Sequence, residues 1–459
     1  MTHPIFRRDV FCWASYDWAN SAYTTLVITV CVAYIQRVVF PVAQWGSTGA
    51  VLWAWSISLS MLLGAILSPI VGAIADARGS KRVWLGATAL SGSAASILLA
   101  AVPPSMYVLV VILFVFANLM LELSLGFYNG FLPEIVDEKE MNTVSAWGYG
   151  LGYVGGGIAL AIAMAILHFG ETFGLETMSG RLRCSLMMMG LWWGIFSLPA
   201  IVMLRDRPRQ SRAANGLPVK EPLFIGESAT EGSTTVGSTT VKSTTGVMFT
   251  ARSAIASAMR TFRSLPAHPA LAWFLLSFLF YNDGIQTIIS QASTFALHEL
   301  SFPESELMAV ILMIQLLALP GAVGIGKCAD VLGMKPTLMV TLIIWIVVLC
   351  AALLVSDKRG FWLMAAVIAF VLGGTQSVSR SLMAVMTPEH QSAEYFGFFN
   401  LSGKATSFIG TFLFGAIVAV TGSSRLAIFG LLPLFVVGIL LLSRVRAPDT
   451  NVPKTSKLP

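Results

Sequence analysis

Five ionisable residues lie inside long apolar stretches and are the side chains best placed to do chemistry: Asp17, Glu122, Asp283, Arg380 and Lys404. A charge at the centre of a membrane helix costs about 2.5–3.5 kcal/mol, so each one needs a partner or a water-filled cavity. Three acids and two bases suit a zwitterionic ligand, whose carboxylate meets a base and whose ammonium group meets an acid. The alternative is internal neutralisation, in which the bases pair with the acids for structure or gating.

In the zwitterion hypothesis Arg380 and Lys404 bind the carboxylate, and Asp17 or Asp283 binds the ammonium group. Glu122 is the candidate for proton coupling, because burial disfavours a charged carboxylate. A structural use of Glu122 and a helix-capping role for Asp17 stay open as alternatives. Amide side chains in the same stretches complete the candidate set for ligand binding or coupling: Asn20, Asn282, Gln286 and Asn400.

No catalytic or metal-binding constellation accompanies these charges in the sequence. The 5 cysteines stand alone without CxxC spacing, and the 5 histidines lie at segment ends or in loops. There is no nucleotide-binding P-loop, and the GLGYVG run at 150–155 lies within an apolar stretch, where Gly148, Gly152 and Gly156 indicate a helix-packing face. We therefore predict that the protein is not an enzyme and has no metal or other cofactor.

The elements that must position these residues are predicted to be membrane helices. The chain is 56% hydrophobic and 11% charged, against roughly 25% charged residues in soluble domains. Its mean hydropathy is +0.77. The apolar runs are continuous rather than alternating, which predicts helices rather than a β-barrel. Twelve spans are predicted, at 10–36, 50–75, 83–102, 106–131, 143–168, 184–204, 269–296, 306–328, 337–355, 361–386, 395–420 and 425–443.

A polar stretch separates the first six predicted spans from the last six. It contains the low-complexity run GSTTVGSTTVKSTTG at 232–246 and then a basic segment at 247–265, which is either an amphipathic helix on the membrane surface or a simple basic loop. We predict four units in chain order: a six-helix bundle at 1–204, a cytoplasmic linker with the amphipathic helix at 205–268, a second six-helix bundle at 269–445, and a cytoplasmic tail at 446–459.

The distribution of lysine and arginine predicts the orientation in the membrane. Most of the 29 basic residues fall on the side of both termini, which the positive-inside rule makes cytoplasmic. Lipid headgroups and topology account for the net charge of +6, so no nucleic-acid partner is expected. The first span carries no signal-peptide cleavage site, and short loops without a sorting signal favour a bacterial cytoplasmic membrane. We expect a multi-pass monomer in the lipid bilayer.

Two short loops carry the same signature, GAIADARGSKR at 72–82 and GKCADVLGMKP at 326–336, after the second and the eighth predicted spans. FLPEIV at 131–136 likewise corresponds to MTPEHQ at 386–391, and Asp17 corresponds to Asp283. The repeat indicates two parallel halves that rock about a central cavity. In each loop the glycines permit a tight turn, and the aspartate can cap the next helix or pair with a base of the opposite half. The predicted gating residues are Gly72, Asp76, Gly79, Lys81, Gly326, Asp330, Gly333 and Lys335.

The loop signature, GxxxDxxGxxK, resembles the cytoplasmic loop motif of the major facilitator superfamily. Within that superfamily the chain resembles the autophagy-related vacuolar amino-acid effluxer family and its bacterial relatives. The resemblance covers nearly the whole chain outside 205–265, and it is carried by segments such as SYDWANSAY at 15–23, FYNDGIQTII at 280–289 and EYFGFFNLSGKATSFIG at 394–410. It implies twelve membrane helices in two parallel-related bundles, and transport of amino acids or similar small solutes.

The sequence thus predicts an all-α, polytopic membrane protein that moves a small organic solute by alternating access, as a secondary active transporter. The leading interpretation of the solute is an amino acid, and protons are a candidate coupling ion. One alternative is a proton-coupled multidrug efflux antiporter, which predicts a more apolar cavity and tolerance of substitution at Arg380. Another is a membrane sensor that does not transport. The solute, the direction of transport and the coupling ion remain open.

Overall fold

A computed structural model describes residues 4–45, 48–206, 268–300, 304–387, 391–404, 407–421 and 423–446, together with residues 259, 263 and 302. These residues form helices joined by short turns, and the described ranges contain no strand. Ten of the helices are long and apolar enough to cross a membrane. The basic segment at 247–265 and most of the linker predicted at 205–268 lie outside the described residues.

Six helices form the N-terminal half of the protein. They are α1 (Arg8–Val39), α2 (Thr48–Arg78), α3 (Lys81–Ala101), α4 (Tyr107–Ile135), α5 (Met141–Phe169) and α6 (Met178–Met203). The C-terminal half repeats the arrangement. It comprises α7 (Pro269–Leu300), α8 (Glu304–Leu332), α9 (Met334–Ala352), α10 (Lys358–Met386), the two segments α11a (Ser392–Lys404) and α11b (Ser407–Thr421), and α12 (Ser424–Ser443). The prediction of two sets of six helices is confirmed.

Helix pairs within one half have counterparts in the other. Helix α1 packs on α5 and α6, as α7 packs on α11 and α12, and α3 packs on α4 and α6, as α9 packs on α10 and α12. Between the halves, α2 packs on α11a and α5 packs on α8, so the same two helix positions meet on both sides of the interface. The two halves are therefore related in parallel, as the sequence repeat indicates.

Helix α6 begins at Met178, several residues before the predicted start at 184. The prediction placed Arg181 in the preceding loop, whereas in the structure it is buried within the helix and folds back over the connection from α5. Its guanidinium group pairs with Glu171 and donates to the carbonyl oxygens of Leu175 at 2.9 Å and Leu167 at 3.0 Å. With its donors satisfied, the arginine can lie inside the helix rather than in a polar loop.

The two signature loops are tight turns at the same end of the molecule, which we call the motif end. Gly79 lies between α2 and α3 with φ at 57°, and Gly333 lies between α8 and α9 with φ at 93°. Positive φ values of this kind suit glycine, because other residues meet a steric penalty there. Both glycines thus lie at turns between helices, where the repeated signature predicts them, and their part in gating stays a prediction.

Candidate functional site

Arg380 of α10 reaches out of the C-terminal half into a pocket of the N-terminal half, where it is only 1% exposed. Nη1 donates to Oδ2 of Asp17 in α1 at 2.9 Å. Nε donates to Oγ of Ser145 in α5 at 3.0 Å, and Nη2 donates to the Ser145 carbonyl oxygen at 2.6 Å. The guanidinium group is thus bound by two helices of the opposite half, and it ties the halves together in this conformation.

Aromatic rings form the walls of this pocket. The guanidinium carbon of Arg380 lies 3.9 Å from the ring centroid of Tyr149 and 4.8 Å from that of Trp13, which are cation–π distances. The hydroxyl group of Tyr128 donates to Oδ2 of Asp17 at 2.6 Å, and its ring stacks on Trp13 with centroids 4.6 Å apart. Hydrogen bonds and cation–π contacts therefore replace the water that the charged pair loses on burial, and they offset part of its desolvation cost.

Glycines of α5 let α1 approach closely enough to place Asp17 in this pocket. A Cβ atom at Gly148 would lie 2.7 Å from Oδ2 of Asp17 and 2.9 Å from Nη2 of Arg380. A Cβ atom at Gly152 would lie 2.6 Å from Oγ of Ser21. The glycine spacing in α5 therefore serves close helix packing, as the sequence analysis favoured, and it makes room for the ion pair.

Asp283 of α7 occupies the position that corresponds to Asp17, but its surroundings differ. It is 1% exposed, and its Oδ2 accepts a hydrogen bond from the backbone N–H of Gly410 in α11b at 2.9 Å. Its Oδ1 and the hydroxyl oxygen of Thr287, one helical turn further along α7, are buried without a hydrogen-bond partner among the described residues. The two repeat-related aspartates are thus both buried, and only Asp17 pairs with Arg380.

Of the other predicted site residues, Asn20 lies beside Asp17, to whose Oδ1 its Nδ2 donates at 3.5 Å, and the rest lie elsewhere. The Nδ2 group of Asn20 donates to the Tyr16 carbonyl oxygen at 2.8 Å, and that of Asn282 donates to the Gly403 carbonyl oxygen at 3.0 Å. Nδ2 of Asn400 is buried without a hydrogen-bond partner among the described residues. Gln286 is half-buried.

Glu122 of α4 is buried against α2, since a Cβ atom at Gly64 would lie 2.8 Å from the Cβ of Glu122. Its role in proton coupling stays a prediction. The side chain of Lys404 lies outside the described part of the chain, so its predicted contact with a carboxylate also stays a prediction.

Lys81 and Asp76 form a buried polar cluster at the motif end. The Nζ atom of Lys81 lies 3.5 Å from Oδ1 of Asp76, pairs with Glu134 of α4, and donates to Oγ of Ser392 in α11a at 2.9 Å. The backbone N–H of Glu394 donates to Oδ2 of Asp76 at 2.9 Å. The sequence analysis allowed Asp76 a basic partner in the opposite half. In the structure its basic partner, Lys81, belongs to its own half, and its contact across the interface is with the backbone N–H of Glu394 in the first turn of α11a.

The second copy of the motif makes a related contact with α5. Asp330 of α8 accepts hydrogen bonds from Nδ2 of Asn142 at 2.9 Å and from Oγ1 of Thr143 at 3.1 Å. The second lysine, Lys335, instead donates to the carbonyl oxygens of Ser443 and Val445, both at 2.8 Å, and so lies at the C-terminal end of α12. The aspartates of both copies bridge the halves, whereas of the two lysines only Lys81 does so.

We expect Lys81→Met to lower the free energy of unfolding by about 1–3 kcal/mol, because it removes the cation that neutralises the buried carboxylates of Asp76 and Glu134. Lys335→Met is the matched control at the corresponding position. It should cost only about 0.3–1 kcal/mol, the usual value of a cation at a helix C-terminus. Denaturant unfolding of both variants in detergent measures the difference. Equal losses would contradict the distinct roles of the two lysines.

Glycines also bring the halves into backbone contact at the motif end, a region we call the glycine seal (Gly72, Gly130 and Gly397). A Cβ atom at Gly72 would lie 2.5 Å from the carbonyl oxygen of Ala393, and one at Gly130 would lie 3.1 Å from the Cα of Ala393. A Cβ atom at Gly397 would lie 2.7 Å from the Cα of Pro69. Because these neighbours are backbone or ring atoms, they cannot move aside as a flexible side chain can. In this conformation the motif end is closed between α2, α4 and α11a.

Further contacts between the halves continue toward the middle of the helices. The hydroxyl group of Tyr153 in α5 donates to Oε1 of Gln376 in α10 at 2.5 Å. Nε2 of Gln315 in α8 donates to Oγ1 of Thr25 in α1 at 2.6 Å. The interface is thus polar along its length as well as at the motif end, and such contacts must be exchanged if the halves move apart.

Solved structures of the same architecture are transporters. One is FucP in the outward conformation, with a TM-score of 0.66 and 14% sequence identity over 96% of this chain and 98% of that one. Another is the proton:xylose symporter XylE, with a TM-score of 0.70 and 10% identity over 96% of this chain and 95% of that one. At these identities the likeness shows the fold alone. Two parallel six-helix halves meeting at a polar interface are the architecture that the chain shares with these transporters.

The family model described as "Vacuole effluxer Atg22 like" matches residues 29–452. The chain belongs to this family, which confirms the resemblance seen in the sequence. The "MFS-type transporter YxiO" of Bacillus subtilis (strain 168) is 30% identical over 444 residues, which are 96% of this chain and 95% of that protein. "Autophagy-related protein 22" of Yarrowia lipolytica is 28% identical over 315 residues, 65% of this chain and 50% of that protein. The chain thus spans about half the length of this fungal relative.

Proposed function

We propose that this transporter moves a zwitterionic small solute, an amino acid, by alternating access. The observation that carries the proposal is the buried pair of Asp17 and Arg380, whose opposite charges belong to opposite halves of the protein. An amino acid carries the complementary charges: its carboxylate suits Arg380 and its ammonium group suits Asp17. The pair thus combines the two alternatives that the sequence left open, with internal neutralisation in the closed state and solute binding in the opened one.

The energetic argument concerns what happens when the motif end opens. Separating the halves removes Asp17 and Ser145 from the guanidinium group and leaves a carboxylate and a cation on opposite walls of the cavity. Each charge then needs cavity water or a bound solute as its partner, because a charge that stays buried without one costs several kcal/mol. A bound zwitterion compensates both charges at once, whereas a cation or an anion compensates only one. We therefore expect a solute that carries both charges to favour the conformational change.

The proposed setting is the cytoplasmic membrane of a bacterium, with both termini and the motif end in the cytoplasm. The excess of lysine and arginine on that side of the predicted topology supports this orientation. In that orientation the conformation described above is closed toward the cytoplasm by the glycine seal and by the cluster around Lys81. Protons are the proposed coupling ion.

The test is thermal stabilisation of the purified protein by a panel of amino acids, sugars, peptides and drug-like cations. A ligand at 100 times its Kd stabilises the folded state by about 2.7 kcal/mol, which shifts the melting temperature measurably. We expect amino acids to stabilise the wild type and to have no effect on Arg380→Ala. Lys404→Ala tests the second predicted base in the same way. Lys358→Ala, which removes a half-exposed base at the start of α10, is the matched control and should respond as the wild type does.

Each other outcome contradicts the proposal in a definite way. Stabilisation by drug-like cations alone, retained in Arg380→Ala, would favour the multidrug antiporter. Stabilisation by amino acids that survives in Arg380→Ala and Asp17→Asn would place the solute elsewhere. A stabilising solute that is bound but not moved across proteoliposome membranes would favour the sensor.

A further inference from the structure

We propose that Asp283 and Thr287 form a proton-binding site in the C-terminal half, between α7 and α11b, and that this proton couples solute movement to a proton gradient. The geometry of the site supports proton binding, and the coupling role of this proton rests on the proposed function. The site differs from the pocket of Asp17 and Arg380, because all its described atoms belong to the C-terminal half.

The first observation is an unpartnered carboxylate oxygen in the interior. Asp283 is 1% exposed, and its Oδ2 accepts the N–H of Gly410 while its Oδ1 has no hydrogen-bond partner among the described residues. A buried carboxylate that lacks a counter-charge and leaves one oxygen unpaired is costly, and a bound proton removes that charge. Oδ1 is the atom that can accept a proton without breaking the bond to Gly410.

The second observation is an unpartnered hydroxyl group on the same face of α7. Thr287 is 1% exposed, and its Oγ1 makes no hydrogen bond to any residue that the structure describes, although a threonine in a helix commonly bonds to a carbonyl oxygen of the preceding turn. A Cβ atom at Gly410 would lie 2.2 Å from this Oγ1 and 3.3 Å from Oδ1 of Asp283, so both oxygens converge on the glycine. Thr287 Oγ1 faces the same glycine as Oδ1 of Asp283, so a small movement lets it accept from the O–H group of the protonated aspartate.

The third observation concerns the charged groups on the helices around the site. The helices packed against α7 are α8, α10, α11 and α12. On α10, Arg380 is bound to Asp17, and on α7 itself the Tyr281 hydroxyl group is shared with Ser379 at 2.7 Å. On α12, Arg425 donates to the carbonyl oxygen of Val355 at the far end. The remaining charged residues of α8 and α10, among them Asp330 and Lys358, lie toward the helix ends, and α11b carries none.

The side chain of Lys404 in α11a is not described. Among the described residues, then, no charged side chain pairs with Asp283, and a proton is the available means of neutralising it.

A proton fits this site better than a metal ion does. Sodium and similar cations require several oxygen ligands, and the described site offers two oxygens without partners, one from a carboxylate and one from a hydroxyl group. Asp17 supports the assignment by comparison, because the corresponding aspartate of the other half is neutralised by a guanidinium group instead. The duplication thus produced one aspartate held by a fixed cation and one free to exchange a proton.

The test is infrared difference spectroscopy of the full-length protein in lipid vesicles, recorded between alkaline and mildly acidic buffer without any solute. A protonated buried carboxyl group gives a C=O stretching band that a carboxylate lacks. We expect the wild type to gain such a band on acidification and Asp283→Asn to lose it. Thr287→Val keeps the shape of the side chain and removes the hydroxyl group, so the band should remain but shift to higher frequency. Asp17→Asn should keep the band unchanged.

The proposal is overturned if the band persists in Asp283→Asn, or if Glu122→Gln abolishes it instead, which would assign the proton to Glu122. It is also overturned if sodium chloride, compared with choline chloride, stabilises the wild type against heat but not Asp283→Asn, because this assigns a metal-ion site. Should Asp283→Asn fail to fold, an unshifted band in Thr287→Val overturns the assignment by itself. Since no solute is present, these results are independent of the thermal-shift test of the proposed function.

Discussion

Replacing Arg380 with methionine is expected to lower the free energy of unfolding by about 3–5 kcal/mol, the usual cost of removing one partner of a buried ion pair. Among the described residues, the substitution leaves the buried Asp17 carboxylate with the Tyr128 hydroxyl group and the Asn20 amide as its side-chain donors. Denaturant unfolding in detergent, followed by circular dichroism, measures the loss. Solute accumulation in proteoliposomes should fall to background in the same variant.

A double-mutant cycle with Asp17→Asn separates the ion pair from general damage to the pocket. If the pair is the cause, Arg380→Met combined with Asp17→Asn is less destabilised than the two single variants predict together. Lys358→Met is the matched control on the same helix, because the pair of Lys358 with Glu306 is partly exposed and is worth about 0–1 kcal/mol. Additive effects in the cycle would show that Asp17 and Arg380 do not act as a pair.

Gly72→Val should prevent the motif end from closing and abolish net transport. Its Cβ would lie 2.5 Å from the Ala393 carbonyl oxygen, so α2 and α11a must separate before the side chain fits. Because the obstacle is backbone, a change of rotamer cannot relieve it. Gly415→Val is the control, since a Cβ at Gly415 has no neighbour within 4 Å.

Spin labels in a cysteine-free background measure the opening of the motif end. The labelled positions are Lys139 on the N-terminal half and Val331 on the C-terminal half, both exposed at that end. We expect the distance distribution between the labels to move to longer values in Gly72→Val and to stay as in the wild type in Gly415→Val. A wild-type distribution in Gly72→Val would mean that the contact between Gly72 and Ala393 does not limit closure.

The fold could be predicted from the sequence because lipid restricts the possible structures. A long apolar run must be a helix, since the bilayer offers no partners for unpaired backbone groups. The repeated loop signature then fixed the grouping into halves. The start of α6 was wrong because Arg181 looks like a loop residue until its partners, the carbonyl groups of a preceding turn, are known.

The site could be predicted only in part. Buried charges such as Asp17 and Arg380 can be recognised singly, because each is expensive in an apolar stretch. Their pairing depends on contacts between residues 363 positions apart, which no local pattern encodes. Ser145 and Tyr149, which complete the pocket, are ordinary residues of a membrane helix and gave no signal.

The two lysines of the repeated motif show the same limit of sequence analysis. Lys81 and Lys335 are equivalent in the sequence, but their partners lie on different elements. Lys81 reaches α4 and α11a, whereas Lys335 reaches the end of α12. The motif therefore marks both positions, and the neighbouring helices decide which contacts each lysine makes.

The glycine seal also affects the ion gradients across the membrane that contains the protein. Where backbone contacts backbone, as at Gly72 and Ala393, no chain of water molecules fits between the helices. Protons and hydrated ions therefore have no path through this contact. A membrane can then hold many copies of the protein without draining its electrochemical gradients. Larger residues at these glycines would stop transport of the solute and would also let ions leak across the membrane. The cell would then have to restore its ion gradients continuously by respiration.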